Sequence, residues 1–373
     1  MLSKTAGRIL SILISLLVFA TTVGFGFTLG FKYVLSQNDR FSNFETRVAK
    51  VGKDTPGAIM VVIRQGFDTG DIADALAEAN AIKNKLAFVF MSKLNGFDGE
   101  YKAGTHFVKS DMNYDEIMYT LSQKPQSVKV TFREGLSYRE VKLALLEAGV
   151  LFDEQVLDSM VNNPALFLDF EFVTDIPQQE GRDWLLQGYL FPDTYEFDMN
   201  TTEESIIRTF LYNTERKLIP ELYTRAKTLN MTMDEVITLA SIIEKESGRL
   251  DEMDLVASVF INRLKAKNHI TGNRMESCAT INYVKSERGV ETSLTVTTED
   301  QQMVTPYNTY MYKGLPAGPI CSPGMDAIRA ALWPAKTGYY YFVTKNDGTG
   351  SSAFASTQNE HFNNVNKYLG KRS

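Results

Sequence analysis

The stretch Leu239-Ala240-Ser241-Ile242-Ile243-Glu244-Lys245-Glu246-Ser247-Gly248 holds the residues best placed for acid–base chemistry. Thr232-x-x-Glu235 ahead of it is a capping-box pattern that starts a helix. Val236, Leu239, Ala240 and Ile243 recur at helical spacing, which predicts one buried apolar face, and Glu246 is the next residue on that seam. Glu244 falls about a quarter turn to one side, and Gly248 is the expected C-cap. Burial and the negative end of a helix both disfavour a carboxylate anion, so a carboxyl placed there tends to keep its proton near neutral pH. That is the state a general acid requires. The plainer alternative is a surface Glu246 paired with Lys245 or Arg249.

The rest of the chain must position that carboxyl. With 373 residues, 44% hydrophobic and 23% charged, it has room for two or three cored domains. A net charge of −6 carries no electrostatic footprint for nucleic acid. His106, His269 and His361 are scattered, and no HExxH, GxSxG or P-loop pattern occurs, so neither metal nor nucleotide cofactor is expected. Ile9–Phe31 is free of charge for roughly 23 residues, enough to cross a ~30 Å hydrocarbon core. Lys4 and Arg8 precede it, which predicts a single-pass anchor with the bulk of the chain outside the cytoplasm. A cleaved signal peptide is the rival reading.

A polar stalk follows to residue 57. Next come a strand at Ala58–Ile63, a helix carrying Ile72, Ala73, Leu76 and Ala79, a helical run over 83–94, a strand over 101–108 and a helix capped by Asn113. Ile63-Arg64-Gln65-Gly66-Phe67 and Glu78-Ala79-Asn80 return as Phe132-Arg133-Glu134-Gly135-Leu136 and Glu147-Ala148-Gly149, always 69 positions later, as a duplicated strand-turn-helix unit would. Residues 152–180 read as irregular. Trp184 to Tyr195 is an aromatic loop broken by Gly188 and Pro192, suited to packing or to walling a sugar groove. Helices are expected over 203–230 and 253–264. Loops rich in Gly, Pro, Tyr and Asn follow, at Ser277–Tyr283, Tyr307–Tyr310 and Gly314–Gly324, with a strand over 339–343. Lys336-Thr337-Gly338 matches a penicillin-binding-protein triplet by coincidence, because no suitable Ser-x-x-Lys accompanies it.

The run Leu239–Ser247, Ala257-Ser258-Val259-Phe260-Ile261-Asn262-Arg263-Leu264, Gly188–Tyr195, Tyr307–Tyr310, Gly314-Leu315-Pro316 and Pro334–Thr337 together resemble the endolytic murein transglycosylases of the YceG-like type. The resemblance covers nearly all of the chain after the anchor. It implies an α+β protein divided into a cytoplasmic tail (1–8), a transmembrane anchor (9–31), a stalk (32–57), a LysM-like βααβ module (58–124), a linking subdomain (125–200) and a catalytic domain (201–373) with a lysozyme-superfamily-like helical active site. It implies cleavage of nascent peptidoglycan strands with 1,6-anhydro-muramyl ends, in a membrane setting shared with penicillin-binding proteins and other wall-synthesis proteins. The family's catalytic Glu, directly before Ser or Thr, falls on Glu246. Ser247, Asn262, Thr280, Tyr189, Tyr307, Asn308, Thr309 and Tyr310 are the expected substrate contacts.

Two positions depart from the family pattern. Gln187 stands where an acid is usual, and Cys278-Ala279-Thr280 replaces Asp-Pro-Thr. In an exported chain, Cys278 and Cys321 are expected to pair as a disulfide between two loops, with two separate buried thiols as the alternative. Two other functions compete with the lyase. One is a non-catalytic peptidoglycan-binding scaffold for wall enzymes. The other is an ordinary glycosidase with Asp251, Glu252 or Glu276 as its second acid.

Overall fold

The computed structural model describes residues 13–30, 32, 48–266, 271–293 and 296–370. The expected tail at 1–8, residues 9–12 and 31 of the expected anchor, and 33–47 of the stalk lie outside the described residues. Helix α1, Leu13–Gly30, has a mean hydropathy of 1.9 and is long and apolar enough to cross a membrane; a signal sequence has the same length and composition. The chain divides into two units, ending and beginning at Gln126 and Ser127.

In the first unit, β1 (Ala58–Ile63) pairs antiparallel with β2 (Gly104–Lys109), from Ala58 opposite Lys109 to Ile63 opposite Gly104. Helices α2 (Thr69–Glu78) and α3 (Lys85–Leu94) lie between the strands in sequence, and α4 (Tyr114–Ser122) follows. The expected order of strand, helix, helix, strand, helix is observed. Asp68 and Asn113 cap α2 and α4 with full capping boxes, closed by Asp71 and Glu116. Ile63, Leu76, Phe88, Val108, Ile117 and Leu121 form a core belonging to this unit.

The sequence echo is a structural echo. In the second unit β3 (Ser127–Thr131) leads through the turn at Gly135 into α5 (Tyr138–Glu147). N-caps Asp68 and Ser137, C-caps Ala79 and Ala148, and the left-handed residues Asn80 (φ 58°) and Gly149 (φ 84°) are each 69 positions apart. The bonds that close the helices match as well, with Ala81 N–H on the Leu76 carbonyl at 2.8 Å and Val150 N–H on the Leu145 carbonyl at 3.1 Å.

Continuing along the second unit are α6 (Glu154–Val161), α7 (Glu171–Thr174), β4 (Thr194–Asp198), α8 (Glu203–Lys217), α9 (Pro220–Thr228), α10 (Met233–Glu246), α11 (Met253–Lys265), α12 (Cys278–Glu287) and α13 (Met325–Leu332). The hairpin β5 (Tyr341–Thr344) and β6 (Ser352–Ala355) and the helix α14 (Gln358–Leu369) complete it. The stretch 152–180 is therefore not irregular: the Asp153 carboxylate caps α6 through the N–H groups of Gln155 and Val156. Strand β3 pairs antiparallel with β4, and one core runs from Val130 to Leu332. The expected linking subdomain at 125–200 thus shares its core with the rest of the unit.

Helix α10 is the centre of that core. Met233, Asp234 and every residue from Val236 to Ile243 are buried, so the middle of the helix is enclosed on all sides rather than along one seam, while Glu235 and Lys245 near its ends are exposed. Its polar N-terminal end is met by Arg182, whose two Nη atoms donate to the Asp234 carboxylate at 2.9 and 3.0 Å, while the Tyr189 hydroxyl donates to the same carboxylate at 2.8 Å. Gly188, at φ 92°, lies so close to Pro319 and Ile237 that a Cβ would sit 2.6 Å from the proline ring.

Beside it, the buried Gln187 amide accepts from Tyr138 N–H and donates to the Pro319 carbonyl, both at 2.8 Å. That double duty explains a neutral residue at this position, because an ionised acid accepts but cannot donate. Gln187→Leu should orphan both backbone groups, each at a cost of about 1–3 kcal/mol, read as a lowered Tm. Gln187→Glu keeps both bonds only while protonated. Its folded pKa is then raised, so its stability should be intact at acidic pH and lost as pH rises through that pKa.

Candidate active site

Glu246 is the last residue of α10, and its half-buried carboxyl meets the start of α12. Its Oε1 accepts the Ser277 hydroxyl at 2.6 Å and the Ala279 N–H at 3.1 Å. Ser277 is the N-cap of α12 and Ala279 is in its first turn, so the carboxyl completes the donor end of that helix. No bond to Oε2 occurs among the described residues, which leaves that oxygen available to a substrate.

Positive charge is close by. Arg263 of α11 is buried, donates through Nε to the Tyr340 carbonyl at 2.7 Å and through Nη1 to the Met275 carbonyl, and faces the charges of Glu276 and Glu246. Burial lowers its pKa, and those two carboxylates act against that. The Tyr310 hydroxyl meets Cys278 Sγ at 3.0 Å on the same side; burial, Cys278 and the charge of Glu246 all push its pKa upward.

Glu244 does something else. Its Oε2 accepts the Gly324 N–H, the cap of α13, at 3.0 Å, and burial raises its pKa, with the nearby Glu134 and Asp326 charges adding to the effect. The preference for Glu246 therefore stands on partners instead of on a seam. Gly248 is not the C-cap: Ser247 takes that place, its N–H bonding the Ile243 carbonyl at 2.9 Å. Glycine is needed at 248 because the Gly350 carbonyl, at the tip of the β5–β6 hairpin, would lie 2.6 Å from a Cβ.

Of the expected substrate contacts, Ser247 and Tyr310 are partly exposed beside Glu246. The others are spent on support. Thr309 Oγ1 accepts the Ser277 N–H at 3.0 Å and lies 3.0 Å from Thr280 Oγ1, which itself donates to the Ser277 carbonyl at 2.9 Å. Asn308 ties its loop together, donating to the carbonyls of Gln301 and Met303 and accepting from Tyr310 N–H at 2.9 Å. Asn262 donates to the carbonyls of Thr337 and Tyr339 at 3.0 and 2.9 Å. Tyr189 and Tyr307 are each 1% exposed, the Tyr307 hydroxyl accepting from Asp183 N–H, so neither ring reaches a substrate.

Ser277, Ala279 and Arg263 were missed as site residues because 277–283 reads as a loop and because Arg263 drew notice only as part of a family motif. The capping serine before a helical run was the available signal. The alternative acids are engaged elsewhere: Asp251 pairs with Arg249, the Glu252 carboxylate accepts the Ser352 N–H at 2.8 Å, and Glu276 lies 3.6 Å from Arg274.

The expected disulfide is absent; both cysteines are free. Cys321 is fully buried with its Sγ 3.3 Å from the Ser241 carbonyl in mid-α10, whereas Cys278 opens α12 against Tyr310. Thiol titration of the unfolded, unreduced protein should count two free groups.

The YceG-like family model matches residues 61–367. The chain is similar to proteins named endolytic murein transglycosylase from Streptococcus pneumoniae serotype 2 strain D39, at 28% identity across 96% of this chain and 65% of that protein, and from Bacillus subtilis strain 168, at 29% across 87% and 88%. It thus spans about two thirds of the pneumococcal relative's length. A crystal structure of a yceG-like protein from Listeria monocytogenes aligns with a TM-score of 0.55 at 28% identity, over 82% of this chain and 98% of that one. With the family pattern running through both strands of the first unit and through α10, α11 and α12, this chain belongs to the YceG-like family.

Proposed function

We propose that the chain is a membrane-anchored endolytic lytic transglycosylase that cuts the bond between N-acetylmuramic acid and N-acetylglucosamine in nascent peptidoglycan and leaves 1,6-anhydro-muramyl ends during wall assembly. One observation carries this reading: a half-buried carboxyl with one oxygen held by Ser277 and Ala279 and, among the described residues, the other unbonded and no second carboxylate hydrogen-bonded to it. The names of the pneumococcal and Bacillus relatives support the substrate class.

The reaction needs one group in two states. Glu246 gives its proton to the glycosidic oxygen as the C1–O bond breaks. The carboxylate so formed takes the proton of the C6 hydroxyl on the same muramyl residue, and that oxygen bonds to C1. Glu246 ends protonated as it began, and no water is consumed. Ser277, the Ala279 N–H and Arg263 stabilise the carboxylate between the two transfers. Tyr310 and Ser247 border the sugar. Helix α1 anchors the enzyme, with the units that follow outside the cytoplasm beside penicillin-binding proteins and other wall-synthesis proteins. The first unit, LysM-like in its βααβ order, holds the strand, and the second works as a lysozyme-like helical active site.

Removing a general acid costs a factor of about 10²–10⁴. Because Glu246 also acts as the base, Glu246→Gln should fall at or beyond the top of that range on purified peptidoglycan. Glu244→Gln should lose far less, since an amide oxygen still accepts from Gly324. Wild-type activity in Glu246→Gln would remove Glu246 from the reaction, and absence of cleavage by the unaltered chain would favour the scaffold reading. Ser277→Ala, which loses one donor to a charged group, should slow the reaction by about tenfold or more. Mass spectrometry of the products decides the nucleophile: anhydro ends are expected, and ordinary reducing ends would mean water attacks instead.

A further inference from the structure

Helix α3 of the first unit turns large apolar residues outward. Leu86, Phe90 and Leu94 are 83%, 67% and 53% exposed. Spaced four apart, they fall within about 80° of one another around the helix and form one stripe. The opposite face is spent on the unit's core, to which the buried Phe88 belongs with Leu76, Ile117 and Leu121.

The internal echo supplies a comparison. Helices α3 and α6 begin 69 positions apart, behind the N-caps Asn84 and Asp153. Their inward positions correspond, Phe88 with Leu157 and Ser92 with Val161, and all four are buried. Their outward positions do not. Where the first copy has Leu86, Phe90 and Leu94, the second has Gln155, Ser159 and Asn163, all exposed. Such a helix therefore closes on its core without an apolar outer stripe, and the stripe on α3 answers to something outside the unit. Charge differs as well. Lys83, Lys85 and Lys93 are exposed and α3 contains no acid, whereas α6 contains Glu154 and Asp158. Lys85 pairs with Asp74 of α2 at 2.7 Å, so Lys83 and Lys93 are the cations that flank the stripe, one near each end.

Leu and Phe on one face with lysines at its edge is the composition of a helix that lies in a membrane interface. The chain also keeps a membrane within reach. Residues 31–47 separate α1 from Val48, and even fully extended they span at most about 60 Å.

We propose that the outer face of α3 docks on the outer leaflet of the membrane that α1 crosses, with Leu86, Phe90 and Leu94 among the acyl chains and Lys83 and Lys93 at the phosphates of anionic lipid. The membrane setting rests on the anchor proposed above for α1; the choice of face rests on α3 and its polar copy. Lysine stems lie along apolar surface while their ammonium groups stay in the headgroup layer. Docked in this way, the first unit is held at the membrane surface instead of ranging over the length of its tether.

The test uses the full chain reconstituted in vesicles, with tryptophan placed at one position at a time and quenched by lipids brominated on the acyl chain. In phosphatidylglycerol, Leu86→Trp and Phe90→Trp should be quenched beyond the background of the native Trp184 and Trp333, and Gln155→Trp in the second copy should not. In phosphatidylcholine the extra quenching should fall to about half or less, because each lysine near an anionic surface is worth about a fivefold shift in binding. Giving the first copy the residues of the second, Leu86→Gln with Phe90→Ser, should abolish the extra quenching of Leu94→Trp at an unchanged Tm, since both side chains are exposed. Quenching at Leu86→Trp no greater than in the wild type or in Gln155→Trp, or equal quenching in the two lipids, overturns the proposal. Flotation of the same samples reports separately on the anchor. A chain that floats with the vesicles without extra quenching keeps α1 in the membrane and loses this docking, whereas a chain that does not float removes the anchor and with it the membrane named here.

Discussion

The second unit depends on a single constraint: a fourteen-residue helix, α10, is buried on every side from Val236 to Ile243 and still carries buried and half-buried polar groups. Each of them has to be satisfied inside the protein, because an orphaned buried polar group costs about 1–3 kcal/mol. Asp234 takes Arg182 and Tyr189, Ser241 accepts the Ile320 N–H at 3.0 Å, Glu244 takes Gly324, and Glu246 takes Ser277 and Ala279. Read along the helix, these bonds assign the chain segments their places: 182–189 at one end, 320–324 along the flank, and the start of α12 at the other end. Apolar packing sets the density of this core, but it is non-directional. The hydrogen bonds decide which segment docks where.

That logic explains why the family's polar motifs are mostly out of reach of a substrate. Asn308 holds the loop that carries Thr309, Thr309 holds the Ser277 backbone, and Ser277 holds Glu246. Lys336-Thr337-Gly338 is explained in the same way: Thr337 meets Ser258 at 2.6 Å and its carbonyl takes Asn262, which pins the segment before β5 to α11. Residues read as sugar contacts from their types are the support that fixes one carboxyl oxygen.

What the sequence made legible was local. The capping box at Thr232, the helical spacing through Ile243, the order of the first unit and the 69-residue echo follow from neighbours within one or two turns. The misses are long-range. Gly248 resembles a C-cap until Gly350, a hundred residues on, comes within contact distance. Tyr189 and Tyr307 look like stacking platforms until Asp234 and Asp183 claim their hydroxyls. The cysteines fit an exported disulfide until each is seen to have its own partner, Ser241 for one and Tyr310 for the other. The expected seam of Val236, Leu239, Ala240 and Ile243 is buried, but so are the residues between them, and Glu244 and Glu246 are both half-buried, so their different partners are what separate them.

The position of Glu246 also bears on how, in the proposed reaction, one group serves as acid and then as base. It stands at the carbonyl end of α10, where the helix dipole disfavours negative charge, and against the N–H end of α12, where the dipole favours it. A carboxyl at the positive end alone would be held as the anion and would donate poorly; one at the negative end alone would be held neutral and would accept poorly. With both helix ends at one carboxyl, the two dipole effects oppose each other. The Ser277 hydroxyl is well suited to that balance, because it can rotate to donate or to accept, whereas the Ala279 N–H can only donate. On the proposed reaction, the same pair of contacts then serves the carboxyl before proton donation and the carboxylate after it, with no movement of either helix.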